Sequence, residues 1–401
     1  MSRPNVFFSV GEPSGDLHAA KLIVELQKLQ PRATFRGFGG TRMAEAGCRL
    51  DYELTDLAVV GFVEVLPKLR EFFRVAGMAS DIFRDQKPDA VVLVDFPGFN
   101  WHIAKRAKQH GVPVFYYLPP QLWAWGSWRI GKMRRYVDHV MCNLPFEPDW
   151  YRARRMSVEY VGHPFFDEVD QRQLDTRFLA AWQAHPGNQV AVLPGSRTRE
   201  VRHIWPMQLA AIRELARRHP QTRFLVACLK SQHCLWCEQQ RRPEDRALNI
   251  EFFVGKTSEI IELADCALMK SGSVSLEMMA RGTPAVVVYH ASRALYAIAS
   301  RLTRVKSMTL PNLIANKTIM PEFLAVGSTA ATIEKSIEAM DRLLRDPSEC
   351  NRQRDELLQL SQQIARAGAS REAAQAICRR LGGDSAATQS VGEARTLPRC
   401  A

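Results

Sequence analysis

Asp89–Asn100 reads DAVVLVDFPGFN, and its two halves follow different rules. Ala90–Val94 is an unbroken apolar run. A strand with one wet face alternates apolar and polar residues; an unbroken run belongs to a strand covered on both faces, as in parallel sheets. The run stops at Asp95, Pro97 and Gly98 break the pattern, and a helical pattern follows from His102 to His110. Strand, turn and helix form the unit that recurs along the chain.

Working outward, NVFFSV, TFRGFGG, VPVFYYLPP, HVMCNLPF and EYVGHP read as further strands. A helix is expected from about Leu17 to Leu29. Beyond Gln189 the plan repeats with QVAVLPGSR, TRFLVACL, NIEFFVG, CALMKSG and PAVVVYH. VFFSVGEPSGDLHAAKLIVEL (6–26) and VAVLPGSRTREVRHIWPMQLA (190–210) share one pattern: strand, glycine turn, charge, helix. The expected class is α/β, with two Rossmann-like doubly wound domains in tandem. Residues 1–166 would form the first, with a C-terminal helix at 355–381 as a candidate to complete it. Residues 187–354 would form the second, after a linker between Pro164 and Gln189. After His290 the pattern is helical through Arg304. LPNLIANKTIMPEFL then reads as a Pro-punctuated loop, and helices follow from Ala331 to Leu344 and from Asn351 to Leu381. Residues 382–401 are polar and expected to be a disordered tail.

With 401 residues, 46% of them hydrophobic, the chain can bury more than one core. The formal charge of +12 suits an anionic partner such as a phosphorylated substrate, an anionic membrane or nucleic acid. The N-terminal apolar run is too short for a signal peptide, and no run approaches the roughly 18 residues of a membrane span. The nine cysteines are therefore expected as reduced thiols in a cytosolic protein. Cys228, His233, Cys234 and Cys237 lie close in sequence. Cys234 and Cys237 have the spacing of half a zinc site, but no second pair accompanies them, so no metal is expected.

Ligands of open α/β sheets bind beyond the carboxyl ends of strands. In the second half those positions hold PGSR (Pro194–Arg197) and KSGSVSLE (Lys270–Glu277). Ser271, Gly272 and Ser273 precede a helix whose first N–H groups can bind phosphate oxygens. Arg197 can neutralise a second phosphate charge, and Glu277 can accept the hydroxyls of a ribose. The plainer alternative is a Ser-initiated helix with a favourable dipole charge at Glu277. In the first half the strand ends carry GEPSGD (Gly11–Asp16) and Asp95. Glu12 and Asp16 would repel an anion, so this turn suits neutral hydroxyls, as on a sugar. Asp95 can act as a general base toward an attacking hydroxyl, or simply cap a turn or the helix near Phe99–Trp101.

Two segments suit an anionic surface. Gln121–Tyr136 interleaves Trp123, Trp125 and Trp128 with Arg129, Lys132, Arg134 and Arg135. Leu57–Phe83 sets Lys68, Arg70 and Arg74 among Leu66, Leu69, Phe72, Phe73 and Met78. Such segments fit a single nucleic-acid strand, a lipid interface or ordinary packing with a solvated basic face.

The ordered set GEPSGD, GTRMAEAG, LAVVGFVEVL, DFPGFN, WAWG, LPFE, GHP, LPGSRTREV, SGSVSLE and LPNLIANK resembles the lipid-A-disaccharide synthases, from about Val6 to Arg380. The resemblance implies a GT-B glycosyltransferase, its two domains facing across a cleft, with no cofactor or metal. The implied reaction moves 2,3-diacylglucosamine from UDP-2,3-diacylglucosamine to the 6-hydroxyl of 2,3-diacylglucosamine 1-phosphate, with inversion. The implied location is peripheral, on the cytoplasmic face of the inner membrane. By the same resemblance Asp95 is the essential acidic residue. Gly11, Glu12, Ser14, Gly15 and Asp16 lie near the reacting sugars, with Glu12 a second catalytic candidate. Gly195, Ser196 and Arg197 contact phosphate, Glu277 lies on the ribose side behind Ser271, Gly272 and Ser273, and Pro311 and Asn312 form a further motif. Two positions depart from the family. Lys270 stands where a small residue is usual and can add a phosphate contact. Ala325 stands where Gln is frequent, which removes one polar group. The rivals are another GT-B UDP-sugar enzyme, such as an epimerase or a transferase with a different acceptor, and a basic nucleic-acid-binding protein. The carboxylates at strand ends argue against the last.

Overall fold

The computed structural model describes residues 3–58, 65–270, 272–302, 307–364 and 367–382. Among the described residues thirteen strands form two sheets. The first holds β1 (Asn5–Val10), β2 (Thr34–Gly39), β3 (Arg49–Glu53), β4 (Ala90–Val94), β5 (Val114–Tyr117), β6 (His139–Cys142) and β7 (Val158–Tyr160), in the order β3-β2-β1-β4-β5-β6-β7. The second holds β8 (Gln189–Leu193), β9 (Arg223–Cys228), β10 (Ile250–Val254), β11 (Cys266–Met269), β12 (Ala285–Ala291) and β13 (Glu322–Val326), in the order β10-β9-β8-β11-β12-β13. β1 pairs in parallel with β2 and β4, and β8 with β9 and β11. The chain therefore winds one way from β1 and from β8, then reverses to the strand on the other side. Each sheet has its reversal point there, which is where doubly wound folds bind ligands.

Register makes those points useful. Val10 lies opposite Val94, so Gly11 and Asp95 leave the sheet side by side. Leu193 lies opposite Met269, and the Lys270 N–H donates to the Leu193 carbonyl at 2.9 Å, so Pro194 and Lys270 also leave together.

The apolar runs do what their lack of alternation requires. Every residue of β4 is buried. In the second sheet, Val190, Val192, Phe224, Val226 and Leu268 face one core, while Ala191, Leu193, Leu225, Ala227 and Met269 face another. Successive side chains point to opposite faces, and both faces are covered.

The structure differs from the sequence reading in several elements. The first helix starts at Pro13, not near Leu17, and runs to Leu29; Pro at the first helical position has its φ preset for a helix. The helix after β4 likewise begins early, at Pro97, and ends at Gln109. The expected linker holds two helices, Pro164–Gln171 and Thr176–Gln183; Asp175 caps the second by accepting from Arg177 and Phe178, each at 3.1 Å. The expected Pro-punctuated loop contains the helix Leu310–Ala315 and strand β13, which is half-buried at a sheet edge. β3 lacks a sequence signal because none of its residues is fully buried. The long final helix is two, Pro347–Ile364 and Ala369–Leu381, with Gly368 between them at φ +104°. The expected tail from 383 and the stretch 59–64 lie outside the described residues.

The chain divides into two compact units. The first comprises Met1–Pro120, Arg134–Met141 and the helix from Ser370; the second comprises Gln121–Met133 and Cys142–Ala369. Among the described residues no helix is long and apolar enough to cross a membrane.

Candidate functional site

In the first unit the chain leaves β4 through two consecutive left-handed residues, Asp95 at φ +46° and Phe96 at φ +45°. Side chains other than Gly and Asn or Asp adopt this region at a cost of roughly 1–2 kcal/mol. Neighbours hold the turn. The Phe96 ring fills the space over Gly11, where an added Cβ would sit 2.1 Å from Cδ1 of that ring. Phe72 and Phe99 close on Phe96 with ring centroids 6.2 Å away in each case. Gly11 of the first motif is thus shaped to fit Phe96 of the second.

The turn leaves the Asp95 carboxyl half-buried. Burial pushes its pKa up from 3.8 to about 6; the negative charge of Glu12 adds to the rise, and a hydrogen bond from the Phe96 backbone opposes it. Glu12 is half-buried at the N-cap of the Pro13–Leu29 helix and makes no side-chain capping bond. Gly11, Glu12 and Asp95 are therefore brought together, and a carboxyl titrating near neutrality is suited to proton abstraction.

Asp16, expected near the sugars, has another duty. It is 5% exposed. Its oxygens accept from the backbone N–H groups of Gly40 at 2.9 Å, Arg42 at 3.0 Å and Met43 at 3.3 Å. It serves the start of the Thr41–Glu45 helix, which has no side-chain cap of its own. Ser14 is exposed and Gly15 buried in the first helical turn.

Sequence reasoning missed the groups behind Asp95. Asn100 is fully buried. Its Nδ2 donates to the carbonyls of Asp95 at 2.7 Å, Ser9 at 3.2 Å and Val94 at 3.3 Å, and its Oδ1 accepts from Ser9 Oγ at 2.7 Å. Tyr116 on β5 donates its hydroxyl to the Asp95 carbonyl at 2.8 Å. The one available signal was an amide side chain three residues beyond the helix-starting Pro97, on a face that must be dry.

In the second unit, Gly195 takes φ +122°, and an added Cβ there would lie 3.0 Å from Glu200 Cβ. Glu200 went unnoticed in the sequence and is central here. Its Oε2 accepts from the N–H groups of Ser196 and Arg197, each at 3.3 Å. Its Oε1 accepts from Lys270 Nζ at 2.9 Å and Arg197 Nη1 at 3.2 Å. Burial raises the pKa of Glu200, but Lys270, with help from Arg197, brings it below the ordinary value. The carboxylate thus occupies amides that sequence reasoning assigned to a phosphate. The Arg197 side chain is 76% exposed and open to an incoming anion.

Gly272 and Ser273 are exposed before the Val274–Arg281 helix; Ser271 lies outside the described residues. Glu277 is buried and accepts from Arg281 Nε at 3.1 Å. Pro311 is buried beside Asn312. Asn312, expected to bind substrate, accepts from the N–H groups of Ile319 and Met320 and donates to the Met320 carbonyl and Glu322. Its amide is committed to the 319–322 turn that leads into β13. Ala325 is buried on β13.

The basic aromatic segment also resolves. Trp123 Nε1 donates to the buried Glu147 at 2.9 Å; Trp125 and Trp128 are 49% and 67% exposed. The Arg129 guanidinium lies 4.6 Å from the Trp125 ring centroid. Of the second segment, Phe73 is 55% exposed and Arg70 and Arg74 are exposed, while the side chains of 58–69 lie outside the described set.

Comparison with known proteins bears on the family and the fold. The sequence profile of the family described as lipid-A-disaccharide synthetase matches residues 6–377. A lipid-A-disaccharide synthase of Anaeromyxobacter dehalogenans (strain 2CP-1) is 35% identical over 341 residues, 85% of this chain and 88% of that one. One of Geobacter metallireducens is 32% identical over 380 residues, 94% of this chain and 97% of that one. Among solved structures, a UDP-GlcNAc 2-epimerase of Neisseria meningitidis bound to UDP-GlcNAc gives a TM-score of 0.58 at 14% identity, covering 94% of this chain and 98% of that one. The calicheamicin glycosyltransferase gives 0.60 at 14% identity, covering 96% and 100%. These structural likenesses show the fold alone: two parallel-sheet α/β domains of the GT-B kind.

Proposed function

The chain belongs to the lipid-A-disaccharide synthase family, a glycosyltransferase family of lipid A biosynthesis, and from that premise we propose its substrates and chemistry. The donor is UDP-2,3-diacylglucosamine and the acceptor is the 6-hydroxyl of 2,3-diacylglucosamine 1-phosphate. The products are UDP and a β-1,6 disaccharide 1-phosphate, formed with inversion at the anomeric carbon.

The observation that carries this reading is the Asp95 carboxyl at the end of β4, raised to about 6 by burial and by Glu12. Such a group is deprotonated at neutral pH yet basic enough to take a proton from an attacking alcohol. The acceptor oxygen then bonds to the anomeric carbon as the bond to UDP breaks. The leaving diphosphate gathers negative charge. Arg197, Lys270 and the amides at the start of the Val274–Arg281 helix are the groups suited to stabilise it. Lys270 holds the Glu200 carboxylate at 2.9 Å and would have to exchange it for the diphosphate. Glu277 would take the ribose hydroxyls with the oxygen that Arg281 leaves open. The basic, exposed surface around Arg70–Arg74 would hold the enzyme on the anionic inner face of the cytoplasmic membrane.

The test is an assay of purified protein with both acylated sugars, following UDP release and disaccharide together. Asp95→Asn is expected to lose on the order of 10²–10⁴ in turnover while binding UDP as before. Normal turnover in that variant would remove Asp95 from the chemistry. UDP release without disaccharide, or epimerised donor, would favour a different UDP-sugar enzyme.

A further inference from the structure

We infer that Asn100 and Tyr116 are positioning residues that lock the Asp95 turn by gripping its backbone carbonyl. This rests on the reading of Asp95 as the base.

Asp95 and Phe96 are both left-handed, so the Asp95 carbonyl points away from the direction a continuing strand would give it. A carbonyl shielded from water is costly to leave without a partner. Here it has two side-chain donors, Asn100 Nδ2 at 2.7 Å and Tyr116 Oη at 2.8 Å. They come from different elements: Asn100 from the Pro97–Gln109 helix and Tyr116 from β5. Asn100 also reaches Ser9 and Val94, the penultimate residue of β1 and the last of β4. One amide thus ties together both strands at the reversal point and the first residue beyond it. The Ser9 hydroxyl orients that amide by donating to Oδ1 at 2.7 Å, which leaves Nδ2 facing the three carbonyls. The Tyr116 ring is itself fixed, fully buried with its centroid 5.8 Å from that of Trp101.

Left-handed pairs persist only where the surroundings over-determine them. Phe96 over Gly11 supplies one restraint and this network the other. Without the network the turn can relax toward ordinary backbone angles, which swings the Asp95 carboxyl away from Glu12 and toward water. Misplacement of a catalytic group by about 1 Å can cost roughly 100-fold in rate.

The experiment compares Tyr116→Phe, Asn100→Ser and Ser9→Ala with wild type and Asp95→Asn, reading kcat, KM, melting temperature and the pH profile of kcat. Tyr116→Phe removes one hydroxyl from a buried ring. It should lower kcat about tenfold, leave UDP affinity unchanged, and move the acid limb to lower pH as Asp95 becomes more hydrated. Asn100→Ser should do the same more strongly, and Ser9→Ala more weakly. If Asn100→Ser does not fold, Tyr116→Phe and Ser9→Ala decide the matter. Folded variants with a wild-type kcat, or with a lowered kcat but an unmoved acid limb, would overturn the inference. Full turnover in Asp95→Asn would instead sink the base, and this network's role with it. An inactive Asp95→Asn beside unaffected Tyr116→Phe and Asn100→Ser would sink the network alone.

Discussion

Glu12 and Asp95 are two carboxyls at neighbouring strand ends, and the burial of Asp95, with a smaller contribution from Glu12, sets a pH dependence. Because Asp95 titrates near 6, turnover should rise with pH through about 6 and level off once the base is ionised. Glu12→Gln removes one of the two influences that raise Asp95, so the acid limb should move to lower pH. An unmoved limb would show that burial alone sets it. The same shift has a consequence for stability. The folded-state pKa of Asp95 lies above its ordinary 3.8, so the native state binds the extra proton between the two values. That stabilising contribution is complete below about 3.8 and is lost as pH rises through about 6. Asp95→Asn should therefore be more stable than wild type at pH 8, by on the order of 1–3 kcal/mol in unfolding free energy, and show little gain at pH 4.

Individual elements depend on single buried polar groups. Asp16 stabilises the Thr41–Glu45 helix, a piece too short to hold itself. Asp16→Ala would leave the amides of Gly40, Arg42 and Met43 without their acceptor. The expected loss is about 2 kcal/mol or more, visible as a lower urea midpoint; an unchanged midpoint would mean that water replaces the carboxylate. Glu200 and Asn312 play comparable parts in the second unit, one across the Gly195–Arg197 turn and the other beneath the 319–322 turn. The motif GEPSGD places Asp16 a few residues beyond a strand. It could not separate carboxylates that face a ligand from carboxylates that face the chain's own backbone. That distinction depends on what packs opposite, and the residues opposite Asp16 are 24–27 positions away.

At the scale of the whole molecule, a net charge of +12 together with exposed Phe73, Trp125 and Trp128 and the half-buried Arg129 beside Trp125 predicts reversible attachment to anionic bilayers. Sedimentation with vesicles containing anionic phospholipid should carry the protein down at low salt and release it as ionic strength shortens the Debye length. Equal binding to neutral vesicles, or none to either, would count against that attachment. The two-sheet parallel architecture was readable in the sequence because a strand buried on both faces is mostly apolar, and runs such as Ala90–Val94 declare themselves without reference to anything distant. So was the acidic residue at the end of that run, since the strand's own length places it. Edge strands β3 and β13 were not readable, because half-exposed positions accept almost any side chain. Nor was the grip of Asn100 and Tyr116 on the Asp95 carbonyl. Those bonds join a helix, β5 and the turn after β4, and only the folding of the sheet brings such donors within 3 Å of one oxygen.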